Sequence, residues 1–144
     1  MAPDCKVCEL QLNPPEGGWY WQDEHWSIGP HLTTEVPGWT VAYLRRHASS
    51  LSSMTRAELE SMGPALAKAA AAIEAETGAE RVYLVLFGEN FPHVHLVLIP
   101  RGAQVPPEHR SSRLHVYAKE YVDPAAYREV GERIRRRLAA APTR

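Results

Sequence analysis

Short apolar runs along the chain predict a sheet, because successive side chains of a strand point to opposite faces and give a period of two residues. Such runs span residues 19–28, 39–44, 81–87 and 93–99. Only a turn rich in Gly, Asn and Pro separates the last two runs, so we expect these two strands to pair antiparallel.

Apolar residues at helical spacing predict one long helix between the second and third strands. Thr55 and Glu58 form the sequence pattern of a capping box at its start, and Gly78 ends it. A kink is expected at Pro64, inside the helix. The predicted buried stripe consists of Leu59, Met62, Leu66, Ala69 and Ile73.

A second helix is predicted near the end of the sequence. Asp123 is a good N-cap and Pro124 a good first helical residue, so the helix should run over about 124–139. Its second half carries four arginines, which favour the C-terminal end of a helix and are expected to lie on a solvated face. They are Arg133, Arg135, Arg136 and Arg137.

Length and charge narrow the class of protein. With 144 residues, the chain suits a single domain over 1–144, and a zinc-binding turn is expected at 1–18. The net charge of −1 gives no reason to expect a nucleic-acid or membrane partner. No apolar run reaches membrane-spanning length and no signal-peptide pattern begins the sequence, so a cytoplasmic location is expected.

Two histidines on the last predicted strand are the strongest candidates for chemistry. His93 and His95 would point to the same face as Val97 and Ile99, about 6.6 Å apart along the strand. Both could simply be satisfied core or rim residues. A buried imidazole needs a partner, however, since an unpaired polar group costs about 1–3 kcal/mol.

The sequence Cys5-Lys6-Val7-Cys8 spaces two sulfurs for one metal ion. A redox pair would need a strand before it and a helix after it, whereas prolines and glycines follow here. Two unrelated thiols are the third reading. Half a zinc site is favoured if two further ligands exist.

Two further ligands do exist, which would complete a Cys₂His₂ zinc site. His47 lies just past a predicted strand, where a loop can aim it. His93 is our choice for the fourth ligand because it lies at a strand start beside loops. His95, one step inside the strand, is then free for chemistry.

A neutral imidazole can act as a nucleophile toward phosphorus. The charge that develops on the phosphoryl oxygens needs hydrogen-bond donors. The turn directly before the histidines offers the backbone of Gly88 and the amide of Asn90, whereas the carboxylate of Glu89 would repel phosphate. The sequence leaves the roles of four other histidines open. They are His25, His31, His109 and His115.

The segment Phe91-Pro92-His93-Val94-His95-Leu96-Val97-Leu98-Ile99-Pro100-Arg101 resembles the motif of the histidine-triad superfamily, His-x-His-x-His followed by apolar residues and often Pro-Arg. Four earlier segments resemble the family in the same order. They are Cys5-Lys6-Val7-Cys8, the early strand at Asp23-Glu24-His25-Trp26, the run from Pro37 to His47, and the long helix from Thr55 to Gly78.

The resemblance implies an α+β fold, an antiparallel sheet of about five strands with two helices, commonly as a homodimer. It implies that His95 is the nucleophile on the phosphorus of a nucleotide, and that Cys5, Cys8, His47 and His93 hold a structural zinc ion. Typical activities are hydrolysis of dinucleoside polyphosphates or nucleoside phosphoramidates, and nucleotidyl transfer. Trp39 and Arg101, which occupy motif positions, are expected near the substrate.

Several positions depart from the family pattern. The third triad position is Val97, which cannot donate a proton to a leaving group. Trp39 replaces the histidine of the family's Pro-Gly-His, and the acidic ribose-binding residue is not evident near Ile28. All four zinc-ligand positions of the family pattern are therefore occupied, whereas several of its catalytic and substrate-binding positions carry other residues.

Three functions follow from this pattern. The first is a nucleotide hydrolase or nucleotidyl transferase using His95, slow or restricted to good leaving groups. The second is a catalytically silent, zinc-stabilised module that binds a nucleotide or a protein. The third is a divergent enzyme that acts on another small molecule, with a further histidine in place of the lost groups.

Overall fold

A computed structural model describes residues 1–140, which form an open antiparallel sheet of five strands in the order β1-β2-β3-β5-β4. The strands are β1 (Trp21–Gln22), β2 (Trp26–Pro30), β3 (Thr40–Leu44), β4 (Arg81–Val85) and β5 (His95–Arg101). The α-helices are α1 (Lys6–Leu12), α2 (Arg56–Thr77), α3 (Arg113–Val116) and α4 (Pro124–Ala140). The predicted α+β class and antiparallel sheet of about five strands are confirmed. Two helices were expected, and residues 1–140 contain four α-helices, because the short helices α1 and α3 add to the predicted α2 and α4.

The last two strands pair as predicted. β4 and β5 are antiparallel, with Val85 opposite Val97 and Tyr83 opposite Ile99. β5 then lies between β4 and β3. The histidine strand is thus an interior strand, and His93 comes two residues before its first residue.

The two faces of β5 have the predicted alternation. Leu96 and Leu98 face the main core beneath the long helices. Ile99 faces a second apolar cluster that the segment containing α3 covers, and Val97 packs between that cluster and a third one beside α1. His95 has the same parity as Val97 and therefore lies on the face away from the long helices.

Helix α2 begins and ends where the sequence predicts. Thr55 and Glu58 form the capping box, and Gly78 closes the helix with a positive φ of 68°. Leu59 was expected to be buried, and that prediction is wrong, since Leu59 is 41% exposed. Glu58 takes the inward position at that turn and is buried against Arg46.

Helix α4 begins at Pro124, and the carboxylate of Asp123 accepts a hydrogen bond from the backbone of Ala126 at 3.1 Å. The expected solvated arginine face is wrong for Arg135, whose guanidinium donates to the carbonyl oxygens of Gly18 and Trp19. Other arginines of the same face pair with a carboxylate of α2. No helix within residues 1–140 is long and apolar enough to cross a membrane.

Candidate functional site

Four side chains with metal-binding chemistry meet at one end of the sheet. Cys5, Cys8, His47 and His93 each place a ligand atom within 4.8 Å of the other three. Cys5 is the N-cap of α1 and Cys8 lies in its first turn. His47 follows β3 and His93 precedes β5, so the cluster joins α1 to the two central strands.

The separations between these atoms fit one ion in tetrahedral coordination. Sγ of Cys5 lies 3.3 Å from Nδ1 of His93, and Sγ of Cys8 lies 3.4 Å from Nδ1 of His47. The two Nδ1 atoms are 3.2 Å apart. A tetrahedron with Zn–S bonds of about 2.3 Å and Zn–N bonds of about 2.0 Å separates its ligand atoms by roughly 3.3–3.8 Å. The donor set therefore fits a zinc-type ion with little rearrangement.

The outer nitrogen of His93 is also satisfied. Nε2 lies 2.6 Å from the carbonyl oxygen of Leu44, so it carries the proton and leaves Nδ1 with a lone pair toward the cluster. Burial lowers the pKa of His93, which favours the neutral ring that a metal needs. Burial raises the pKa of the Cys8 thiol, so metal binding must displace its proton.

The backbone before His47 is fixed by a polar contact with α2. The guanidinium of Arg46 donates to both carboxylate oxygens of Glu58, at 2.7 and 3.0 Å. The same carboxylate accepts from the backbone of Thr55. Arg46 is therefore engaged by the capping box of α2, which positions the neighbouring His47.

The imidazole of His95 has a defined tautomer. Nδ1 lies 2.6 Å from the carbonyl oxygen of His93, which can only accept, so Nδ1 carries the hydrogen. In the neutral ring, the lone pair is then on Nε2. The ring of Tyr43, the cross-strand partner of His95, stacks at 6.1 Å, and the ring of Phe91 meets it edge-on at 6.2 Å.

A cavity of about 390 Å³ opens beside His95. One wall comes from α1 and the residue after it, and another from the central strands. A third wall comes from the loop after β2. The lining residues are Lys6, Val7, Glu9, Leu10, Asn13, His31, Leu32, Thr33, Val41, Tyr43, Phe91, His95 and Val97. His95 is therefore not walled in, and Val97 contributes a methyl surface where the motif would have a third imidazole.

Two predicted substrate residues lie apart from this cavity. Arg101 is 7% exposed at the far end of β5, and its guanidinium pairs with the carboxylate of Glu80. Its charge is thus already neutralised. Trp39 is buried in the second apolar cluster and reaches the cavity only through an edge contact with His31, with ring centroids 5.6 Å apart.

The predicted phosphate donors lie on the turn before His93. Gly88 has a positive φ of 69°, and Asn90 is exposed. Neither lines the cavity, whereas Phe91 from the same turn does. The turn is therefore adjacent to the cavity without supplying its wall with a polar donor.

Of the four histidines with open roles, His31 lies in the cavity. His115 stacks on the ring of Trp39 at 6.1 Å, outside the cavity. His109 stacks on Tyr117 at 4.0 Å, and His25 lies 3.8 Å from a carboxylate oxygen of Glu24.

Sequence reasoning missed two contributions to the cavity. Tyr43 reads as an ordinary strand residue, and only its register opposite His95 gives it a place in the site. The α1 residues Val7 and Leu10 were missed because the expected metal turn gave no helix to carry a cavity wall. The cysteine spacing was the available signal. If Cys5 and Cys8 share a metal ion with the histidines, the residues next to the two cysteines must also lie close to the histidines.

No protein-family model matches the chain, and no curated protein matches it. Solved structures do match. A hypothetical histidine triad nucleotide-binding protein from Sulfolobus tokodaii is 16% identical with a TM-score of 0.72, the match covering 94% of this chain and 92% of that one.

Two further solved structures match over nearly their whole length. A Zn-bound histidine triad family protein from Mycobacterium smegmatis is 17% identical with a TM-score of 0.71, covering 94% of each chain. A Hit-like protein from Bartonella henselae is 16% identical with a TM-score of 0.73, covering 95% of this chain and 98% of that one. At these identities the similarity is one of fold.

Proposed function

Starting from its histidine-triad fold, we propose that this protein is a nucleotide hydrolase or nucleotidyl transferase that carries a covalent nucleotidyl group on His95. The observation that carries the proposal is the hydrogen bond from Nδ1 of His95 to the carbonyl of His93. That bond leaves Nε2 as a neutral nucleophile beside the cavity. The hypothetical histidine triad nucleotide-binding protein from Sulfolobus tokodaii, which has the same fold, supports a nucleotide as the ligand.

The reaction needs two displacements at phosphorus. Nε2 of His95 forms a bond to phosphorus, and the leaving group departs with the electrons of the phosphoanhydride or phosphoramidate bond. Water, or another acceptor, then attacks the same phosphorus and releases a proton to solvent. The P–N bond breaks with its electrons on Nε2, which restores the neutral ring. Because Val97 cannot protonate the leaving group, we expect substrates whose leaving group has a low pKa, such as a polyphosphate.

The donors for the phosphoryl oxygens are proposed to come from the turn before His93. The backbone of Gly88 and the amide of Asn90 are the candidates: neither lines the cavity itself, but Phe91 of the same turn does, so a bound ligand that extends past Phe91 would meet them. Arg101 is left out, since Glu80 already pairs with it.

We further propose that Cys5, Cys8, His47 and His93 hold a structural zinc ion. The near-tetrahedral separations between the four ligand atoms support this, as does the similar fold of the Zn-bound histidine triad family protein from Mycobacterium smegmatis. All four protein ligands fill the coordination shell, so the ion would have no open position for substrate. Its contribution would be to hold α1 and His93 in place.

A homodimer is proposed through one of the two edges of the sheet. Among residues 1–140, β4 pairs with β5 alone, and its Leu84 is 52% exposed. An exposed edge strand with an apolar side chain is a surface on which a second copy can pair.

The experiment that tests the enzyme is a trapping assay. The protein is incubated with adenosine polyphosphates and adenosine phosphoramidate, and intact mass is measured after rapid acid-free quenching. A nucleotidyl adduct in the wild type that is absent in His95→Ala, together with loss of turnover, is the expected result. His25→Ala, a histidine outside the cavity, is the matched control.

A silent binding module is the second candidate, and Val97 is the observation that favours it, since it removes the proton donor from the pattern. Nucleotide binding with neither adduct nor turnover would establish this function and overturn the enzymatic one.

A further inference from the structure

His31 lies in the same cavity as His95 but has no part in the chemistry proposed above. It directly follows β2, whose last residue pairs with Thr40 at the start of β3. His95 pairs with Tyr43 near the other end of β3. The two histidines therefore lie toward opposite ends of the cavity and would contact different parts of one ligand.

Backbone contacts fix the tautomer of His31. Nδ1 lies 3.3 Å from the backbone nitrogen of Thr33 and 3.1 Å from that of Thr34. Both backbone groups are donors, so Nδ1 must accept and carries no hydrogen. The ring hydrogen is therefore on Nε2. A doubly protonated ring would lose both contacts, so the loop itself selects the neutral form.

The burial of His31 supports the same protonation state. Burial lowers its pKa to about 4, with smaller contributions from His115 and His95. Nε2–H has no protein acceptor among residues 1–140 in the structure. An imidazole donor without a protein acceptor, on a cavity wall, is available to a ligand.

The position of His31 is also rigidly supported. The hydroxyl of Tyr127 on α4 donates to the carbonyl oxygen of His31 at 2.6 Å. The indole of Trp39 meets the imidazole edge-on, with centroids 5.6 Å apart. Holding a donor in place before binding reduces the entropic cost of ordering it in the complex.

We infer that His31 is a specificity-determining residue that donates a hydrogen bond from Nε2 to an acceptor oxygen on the part of the ligand remote from His95. The inference rests on the proposed function, because it assumes a ligand whose phosphorus lies at His95. It identifies the ligand class as one with an acceptor oxygen, such as a hydroxyl, ether or carbonyl oxygen, at its other end. A ligand with only an ammonium donor there would not be recognised.

Two substitutions separate this role from a structural one. In His31→Asn, the amide oxygen can take the place of Nδ1 and keep the bonds from Thr33 and Thr34, but the Nε2 donor is lost. In His31→Gln, the amide nitrogen can reach the position of Nε2 and keep the donor, but the loop contact is lost. His31→Asn thus keeps only the acceptor function of the ring, and His31→Gln keeps only its donor function.

The test is steady-state kinetics with an adenosine polyphosphate, whose leaving group needs no proton, for the wild type and both variants. Loss of one neutral hydrogen bond is expected to raise KM about tenfold in His31→Asn, with kcat within about twofold of the wild type. His31→Gln should stay within about threefold of the wild-type KM. Melting temperature is measured alongside, and we expect the larger decrease in His31→Gln.

The opposite pattern, with His31→Asn unchanged and His31→Gln impaired, would overturn the inference and leave His31 a loop residue. Equal KM values in all three proteins would overturn it too. A wild type that neither turns over nor binds the nucleotide would overturn the proposed function itself, and the inference with it, so the two failures are distinguishable.

Discussion

The ring of His95 is hydrogen-bonded to the backbone of His93, with Nδ1 2.6 Å from the carbonyl oxygen. The side chain of His93 belongs to the four-residue cluster that could hold a metal ion, and its Nε2 donates a hydrogen bond to the carbonyl oxygen of Leu44. One residue therefore orients both a metal ligand set and the proposed nucleophile. A change at the cluster should reach His95 through a single peptide group.

Loss of the metal is expected to affect both stability and activity. In His47→Ala, zinc content should fall from one equivalent toward zero, and the melting temperature should fall by about 10 °C or more, as a loss of roughly 3 kcal/mol implies. Activity should fall as well, although His95 is unchanged. Metal analysis, thermal unfolding and turnover measure the three effects.

His25→Ala is the control for this prediction, because His25 lies outside the cluster. A His47→Ala variant that keeps its zinc and its melting temperature would show that the four residues do not hold a structural ion.

Restoring an imidazole at position 97 should accelerate slow substrates selectively. Val97 lines the cavity on the same face of β5 as His95. In Val97→His, a leaving group of high pKa could receive a proton, and kcat should rise by up to about 10²-fold. Polyphosphate leaving groups, which need no proton, should change little.

Val97→Asn is the matched comparison, because it adds polarity without a group that titrates near neutral pH. An equal acceleration in both variants, or the same acceleration for every leaving group, would argue against proton donation as the missing function.

Stability should depend on the ionisation of Glu58. The hydrogen bonds from Arg46 lower its pKa to about 2, helped by the backbone of Thr55. A depressed folded-state pKa stabilises the protein above the unfolded pKa of about 4.5, and that stability is lost as pH falls from there toward 2. Solvent screens this ion pair because Arg46 is half-exposed, so we expect ionised Glu58 to contribute about 2 kcal/mol to the free energy of unfolding at pH 7.

The measurement is the free energy of unfolding between pH 2.5 and 7 for wild type and Glu58→Gln. The variant should be less stable at pH 7, and the difference should shrink as pH falls. Glu60→Gln, at the exposed ion pair with Arg56, should differ from wild type by less than about 0.5 kcal/mol throughout. A pH-independent difference for Glu58→Gln would contradict the assignment.

The proposed dimer predicts a concentration-dependent mass. Leu84→Lys places a charge on the edge strand and should shift the protein to a monomer in light scattering. Leu51→Lys, which changes another exposed leucine outside the sheet, should leave the mass unchanged. A wild type that is monomeric at all concentrations would remove the dimer from the proposal.

Periodicity was sufficient for most of the fold. The alternation across residues 93–99 predicts which side chains face the long helices, since strand geometry leaves two faces and only one suits Leu96 and Leu98. The capping box of Thr55 and Glu58 is equally local. The buried position of Glu58 was not predictable, because it depends on Arg46, which lies in another segment.

The metal-ligating residues of the site were predictable from the sequence, whereas most of the residues that line the cavity were not. Cys5, Cys8 and the histidines can be recognised as candidate ligands from their residue type alone, and the fold brings four of these residues together. The positions of His31 and Tyr43 depend on strand register and on the path of a loop, which local patterns do not encode. Arg101 illustrates the reverse case, in which a motif position is occupied but its charge is used by Glu80.

One wall of the cavity belongs to α1, and the cysteine that caps this helix meets a histidine 88 residues later in the sequence. A nascent chain that has left the ribosome only as far as β4 therefore has no pocket, however well its helices have formed. If the proposed ligand and zinc ion bind here, ligand binding would stabilise only the completed fold, and the affinity for the ligand would depend on zinc occupancy of the cluster that holds α1 in place.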